Sequence, residues 1–221
     1  MGLDLIDAGQ GNVVMTDRNN YAYFLIGSQW YKMDSLTLQH VSVGPAGIWG
    51  VALEDGVYKY VAGSFVYAND HTLEQVDAGG DGQVVGVTHT STIHCLKSTI
   101  ASDYREQSTV SWTTLPGLLT YVSCSSKYGC WGVNSAQNIY FTTSHHILDG
   151  LAVMVEIGTD GSVFVVNRGG EVFQRQGIDS STPQGTSWTK IPMPSRINHV
   201  SYDRGNLWVV TDYGIILKCL C

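Results

Sequence analysis

The six tryptophans of this chain fall into three evenly spaced pairs. Trp30 and Trp49 are 19 residues apart, Trp112 and Trp131 are 19 apart, and Trp188 and Trp208 are 20 apart. Such a repeat constrains architecture more than any local pattern does, because a repeated unit buries its apolar face only by stacking on its neighbours. It also weighs against an enzyme, since chemistry needs one irregular cluster of groups rather than a copied motif.

Aligning on the tryptophans exposes a shorter unit. A β-branched residue followed by a small or acidic one recurs at Ile6-Asp7-Ala8-Gly9, Val41-Ser42-Val43-Gly44, Val76-Asp77-Ala78-Gly79, Val122-Ser123-Cys124-Ser125, Val155-Glu156-Ile157-Gly158 and Val200-Ser201-Tyr202-Asp203. After each come a polar turn, an apolar run such as Cys130-Trp131-Gly132-Val133, a second turn and a third short run such as Ile139-Tyr140-Phe141. A fourth run is clear at Trp30, Phe65, Trp112 and Trp188. These runs are short, rich in β-branched and aromatic residues, and bounded by Gly, Asn and Asp, so they read as strands. No helical apolar period of useful length interrupts them. Three- to four-stranded units of this length match the blades of a β-propeller. The expected architecture is all-β: a six-bladed β-propeller forming one domain over 1–221, with blades near 1–33, 34–67, 68–117, 118–150, 151–195 and 196–221.

Side chains alternate across a strand. In the first strand of each unit one face is apolar. The other carries Leu5/Asp7, His40/Ser42, Gln75/Asp77, Tyr121/Ser123, Met154/Glu156 and His199/Ser201, and is expected to look toward a central channel. Acids occupy units 1, 3 and 5, and serines hold the same place in units 2, 4 and 6. The tryptophans follow the same parity, so three double blades with pseudo-threefold character are expected.

The chain has 12 Lys and Arg, scattered singly, and a net charge of −7, which argues against nucleic acid as a partner. No apolar run is long enough to span a membrane. The first residues show neither the basic start nor the apolar core of a secretory signal, and no Asn-x-Ser/Thr acceptor occurs. With five cysteines at least one is unpaired. Cys124 ends one strand and Cys130 begins the next, so a cross-strand disulfide is geometrically easy; two buried thiols is the other reading. Cys95 has no evident mate, and a bond between Cys219 and Cys221 is awkward.

Several segments resemble the tectonin-type lectins, and most closely the fish egg lectin family. They include Leu38-Gln39-His40-Val41-Ser42-Val43-Gly44, Gln75-Val76-Asp77-Ala78-Gly79-Gly80-Asp81, Cys130-Trp131-Gly132-Val133-Asn134-Ser135 and Thr159-Asp160-Gly161-Ser162-Val163-Phe164. The resemblance implies tandem tectonin-like repeats, a secreted protein, and binding of glycans that contain N-acetylglucosamine or belong to bacterial surface polysaccharide. It also implies a role in innate defence and agglutination, on microbial or egg-surface glycans. The family's Trp-Gly-Val-Asn motif is complete only at Trp131–Asn134. Its Asn aligns with Thr16, Ala52, Thr88 and Thr211 elsewhere, and is kept as Asn167. Family members begin with an extra strand that this sequence, whose first unit starts almost at Met1, does not show.

A sugar site needs an aromatic face and a few amides or carboxylates. The turns between second and third strands offer them. The leading candidate is Trp131, Asn134, Gln137 and Tyr140, followed by Asn167, Asp55 and Tyr58. The competing readings are structural: Asn and Asp hold tight turns, and a tryptophan repeated once per blade is a buried wedge. Asp7, Asp77 and Glu156 are weak candidates for a cation such as calcium, or else accept backbone N–H groups from the neighbouring unit; no resident metal or other cofactor is expected. His145-His146 reads as loop. The inserts Ser98–Ser111 and Asp179–Ser187 are candidate partner surfaces. The functional expectation is therefore a multivalent lectin, possessing weak sites of about −4 kcal/mol each and open to homo-oligomerisation. The alternative is a protein-interaction propeller without sugar binding. No hydrolase constellation is found.

Overall fold

The computed structural model describes residues 3–105, 108–125, 127–141 and 146–220. These residues form antiparallel meanders. The first runs through β1 (Leu3–Gly9), β2 (Asn12–Asp17), β3 (Tyr21–Ile26) and β4 (Gln29–Gly44). Strand β4 is 16 residues long and serves two units. Its first part pairs with β3, and its second part pairs with β5 (Gly47–Ala52), which β6 (Gly56–Val61) and β7 (Ser64–Thr72) follow. The expected boundary at 33/34 thus falls inside a continuous strand. Next come β8 (Gln75–Asp77), β9 (Val84–Val87), β10 (Thr92–Leu96), the six-residue helix α1 (Ser98–Asp103), β11 (Ser108–Thr109) and β12 (Thr113–Leu118). Strand β11 joins the edge of β7, and β12 completes a four-stranded sheet with β10, β9 and β8.

Two further four-stranded sheets follow: β13 (Tyr121–Ser125), β14 (Gly129–Val133), β15 (Asn138–Phe141) and β16 (His146–Leu151), then β17 (Met154–Ile157), β18 (Val163–Val166), β19 (Val172–Gln176) and β20 (Ser187–Ile191). The last sheet has three strands, β21 (Ile197–Asp203), β22 (Asn206–Thr211) and β23 (Ile216–Leu220). Helix α1 and strand β16 are the elements that no apolar pattern announces. The apolar second strands are sandwiched between sheets. Strands β9 and β18 are buried along their whole length, and Trp49, Trp131 and Phe164 are fully enclosed.

The first strands of successive units lie against one another, and β21 lies against β1. A circuit of hydrogen bonds links them. The Val43 amide donates to Asp7 Oδ2 at 2.6 Å, Ala78 to Ser42 Oγ at 2.9 Å, and Cys124 to Asp77 Oδ1 at 3.0 Å. The Ile157 amide donates to Ser123 Oγ at 3.1 Å, Tyr202 to Glu156 Oε1 at 3.2 Å, and Ala8 to Ser201 Oγ at 2.8 Å. Each unit's acid or serine therefore takes the amide of the next unit. The serine protons return to the acids: Ser123 reaches Glu156 at 3.1 Å, and Ser201 reaches Glu156 at 2.7 Å or Asp7 at 3.1 Å. The approach is so close that a Cβ on Gly9 would sit 2.2 Å from the Val43 carbonyl oxygen, and one on Gly44 2.1 Å from that of Ala78. Glycine is thus required at these two positions by the spacing of neighbours; the fourth and sixth units carry Ser125 and Asp203 in the same place.

Two residues earlier on the same strands, His40, Tyr121 and His199 meet. The Tyr121 hydroxyl lies 2.8 Å from His199 Nε2 and 3.4 Å from His40 Nε2, and all three rings pack edge to face. The polar faces converge as the alternation predicts, yet the expected channel is filled. Beside the carboxylates only about 20 Å³ remains, room for about one water.

Candidate functional site

The central acids are committed to structure. Burial raises the carboxyls of Asp7, Asp77 and Glu156 above the ordinary range. The charge of Asp7 pushes Asp77 and Glu156 further, and the hydrogen bonds each receives offset only part of this. Their oxygens are occupied by the neighbouring unit's amides, which is the structural one of the two expected roles. Among the described residues no group of His, Cys, Asp or Glu is gathered closely enough to hold a metal ion.

The turn between second and third strands has one construction in five units. The side-chain oxygen of Asp17, Thr88, Asn134, Asn167 or Thr211 accepts the amide of the residue four places on. In the first unit the position aligned with Asn134 is therefore Asp17, and the expected Thr16 is a buried strand residue. Three residues later the backbone turns left-handed, at Asn20 (φ 63°), Asp55 (φ 66°), Ser91 (φ 65°) and Gln137 (φ 68°). The carbonyls of these four residues accept the amides of Leu38, Leu73, Leu119 and Ala152, which lead into the next unit. Asn134 spends its Oδ1 on the Asn138 amide, and its Nδ2 donates to the Tyr140 hydroxyl at 3.1 Å.

The expected quartet does not form one site. Trp131 is 1% exposed and packs on Phe141 and Trp188, with ring centroids 5.2 and 6.4 Å away, so no sugar reaches its face. Asn134 and Tyr140 look into a groove of about 560 Å³ between the third and fourth units, floored by Leu115, Pro116 and Leu118. Gln137 looks the other way, into a groove of about 430 Å³ between the fourth and fifth units. Its other walls are Asn167, Arg168, Phe173 and the partly exposed Trp188, whose indole N–H donates to the Asp149 carbonyl at 2.8 Å. Sequence order hid this partnership, because Trp188 and Gln137 lie in different units.

Asp55 lies at the corresponding mouth between the second and third units, while Tyr58 packs into the cluster between the first and second units, and both are engaged elsewhere. Asp55 accepts from Gln39 Nε2 at 2.9 Å and lies 2.8 Å from His89 Nε2, and Tyr58 packs on Tyr67. That bridge narrows the entrance where the fourth–fifth groove stays open. Asn167 holds the Glu171 carboxylate through Nδ2 at 2.8 Å, and Lys190 reaches the same carboxylate at 2.5 Å. These two contacts, the Lys190 hydrogen bond first, hold Glu171 below its ordinary range.

The tryptophans pair in space differently from their pairing in sequence. The second-strand Trp49 clusters with the fourth-strand Trp112 of the next unit, and Trp131 with Trp188; Trp208 and Trp30 share a third cluster. Three equivalent seams result, in keeping with pseudo-threefold character. The first insert folds back over a seam, while the second stays largely exposed and is tied down where Arg175 meets the Gln184 and Gly185 carbonyls. Ala101 and Tyr104 of the first join the Trp49 cluster, and Ile178, just before the second, joins the Trp131 cluster. Cys124 and Cys130 form a disulfide directly across β13 and β14. Cys95 and Cys219 are free thiols; Cys221 and His145 lie outside the described residues, as does the side chain of His146. No helix among the described residues is long and apolar enough to cross a membrane.

The family model described as Tectonin domain matches residues 2–212. A fish-egg lectin from Cyprinus carpio is 40% identical over 158 residues, 66% of this chain, and the match spans 66% of that protein's length. Among solved structures, the nidogen/laminin complex has a chain similar at TM-score 0.65 and 8% identity, covering 90% of this chain and 85% of that one. Human WBSCR16 is similar at TM-score 0.62 and 13% identity, covering 99% of this chain and 76% of that one. Likeness at such identities concerns the fold alone.

Proposed function

This chain belongs to the tectonin-domain family, and we propose that it is a multivalent, non-enzymatic lectin built as a single six-bladed β-propeller. Its ligands are N-acetylated sugars of the N-acetylglucosamine type, on microbial or egg-surface glycans outside the cell. Agglutination in innate defence is the corresponding role. The observation that carries this reading is the groove in which Gln137, Asn167 and Arg168 surround Phe173 and Trp188. Its lining is mostly apolar, which suits the C–H face of a pyranose and an acetamido methyl, while the side-chain amide of Gln137 answers hydroxyl and carbonyl groups.

The groove of Asn134 and Tyr140 is a second subsite of the same kind, with the exposed Leu118 as its apolar floor. Trp188 takes the part first expected of Trp131. Asp55 contributes only after the His89 bridge opens, and Tyr58 belongs to the first–second interface. Single sites of this shallowness bind at about millimolar strength, and several on one rigid frame gain avidity.

Calorimetry with N-acetylglucosamine and its oligomers tests the reading. Saturable heat for the N-acetylated sugars, absent for glucose and lost in Trp188→Ala, supports it. A folded protein that is silent toward every N-acetylated oligomer removes it.

A further inference from the structure

One tryptophan seam is closed by polypeptide and a second is bordered by it, and in each a cation lies over an indole. In the seam between the second and third units, Lys59 Nζ is 5.7 Å from the Trp49 ring centre. It donates to the backbone carbonyls of Ala101 at 2.5 Å and of Ser102 and Tyr104 at 3.3 Å, at the end of helix α1. The Tyr104 ring packs on Trp49 at 6.0 Å. In the seam between the fourth and fifth units, Arg175 lies 4.8 Å over Trp188 and donates to the carbonyls of Gln184 at 2.8 Å and Gly185 at 3.3 Å.

The third seam has the same cation and, among the described residues, no cover. Lys218 stands opposite Trp208 in the β22–β23 register, as Lys59 stands opposite Trp49, and its Nζ is 5.2 Å from the Trp208 ring centre. Here the connection that carries an insert in the third and fifth units is only the turn at Gly27-Ser28 between β3 and β4. Trp30 and Trp208 remain partly exposed and line an open groove of about 650 Å³, with Arg204, 68% exposed at its side chain, on the rim. Lys218 and Arg204 outnumber the one lining carboxylate, the buried Asp203 3.9 Å from Arg204 Nε, on a chain of net charge −7.

We propose that this groove docks a loop of a partner protein. The loop presents successive backbone carbonyls to Lys218, lays a small apolar or aromatic side chain against Trp30 and Trp208, and turns an acidic residue toward Arg204. A segment of this chemistry closes the seam at Trp49, another borders the groove of about 820 Å³ at the fourth–fifth seam, and the charge of the groove complements it. The site lies apart from the sugar groove beside Gln137, and it stands or falls independently of sugar binding.

The test is a titration of the intact chain with an acetylated, amidated peptide copying Ser98–Tyr104, followed through the indole N–H resonances of Trp30 and Trp208. Both resonances should move and saturate in the roughly millimolar range, and Lys218→Met should weaken the effect about fivefold. Gln137→Gly, which lowers sugar binding, should leave this titration unchanged. Resonances that stay still up to ~10 mM peptide, or that move equally in Lys218→Met, overturn the proposal. Glucuronic acid is the second probe. If it moves both resonances where the peptide does not, the groove is an acidic-sugar site and the polypeptide reading is wrong.

Discussion

The hydroxyl of Ser201 accepts the amide hydrogen of Ala8 at 2.8 Å, joining residues 193 positions apart. The beginning and end of the described chain are held by the bond that Ser42 makes to Ala78 and Ser123 to Ile157.

Ser201→Ala should therefore act far from any ligand groove. It leaves the buried Ala8 amide without a partner and takes a proton donor from Glu156. A loss of about 1–3 kcal/mol in urea unfolding is expected, with sugar affinity unchanged in the remaining folded protein. Wild-type stability in this variant would show that the latch between Ser201 and Ala8 is dispensable.

Glu156 titrates above the ordinary carboxylate range because it is buried and close to Asp7. Its folded value is raised, so its contribution to stability is complete below the unfolded value and is lost as pH rises through the folded one. Glu156→Gln keeps an acceptor for the Tyr202 amide and removes this titration. The variant should match wild type near pH 4 and exceed it at neutral and alkaline pH in thermal unfolding.

The opposite slope comes from histidine. Burial lowers His40 to about 3 and His199 to about 4. Their contribution is complete above the unfolded value of about 6.5 and declines as pH falls toward those lower values. His40→Phe, which gives up only a long contact to Tyr121, should flatten the fall in stability between about pH 6 and pH 4. An unchanged slope would mean that His40 binds protons alike in the folded and unfolded chain.

Gln137→Gly separates backbone from ligand. The residue is left-handed at φ 68°, so glycine relieves strain while loosening the unfolded chain, and net stability should shift by less than about 1 kcal/mol. Loss of the amide should weaken N-acetylglucosamine binding about fivefold to tenfold by calorimetry.

Reduction of the Cys124–Cys130 bridge opens a short loop. A cost of about 2 kcal/mol is expected from chain entropy, read as a lower melting temperature in dithiothreitol.

Much of this structure was legible in the sequence, and the reasons are physical. Alternation in the first strands is fixed by the pleat, so Asp7, Ser42 and their equivalents had to share one face. The Cys124–Cys130 bridge was one of the two states that a hairpin of this length allowed, and the structure holds it closed. The groove was harder to read. Gln137 and Asn134 sit in one turn, yet the turn straddles two interfaces, and only the packing of units decides which side each amide faces. Thr16 looked like a turn residue because it is polar, although it is 1% exposed; the true counterpart of Asn134 lay one position on. Helix α1 was hidden because its anchors, Ala101 and Tyr104, answer to Lys59 and Trp49 in another unit and leave no periodic trace of their own.

The alternation of acid and serine around the axis has a consequence for descent. Every serine that returns a proton does so to a carboxylate of an adjoining unit. Deleting or duplicating one unit would set two acids, or two serines, side by side: the first brings two buried carboxyls together, and the second leaves each serine one flanking carboxylate in place of two. Gain or loss of units in twos keeps the alternation, so the pair is the module this axis preserves.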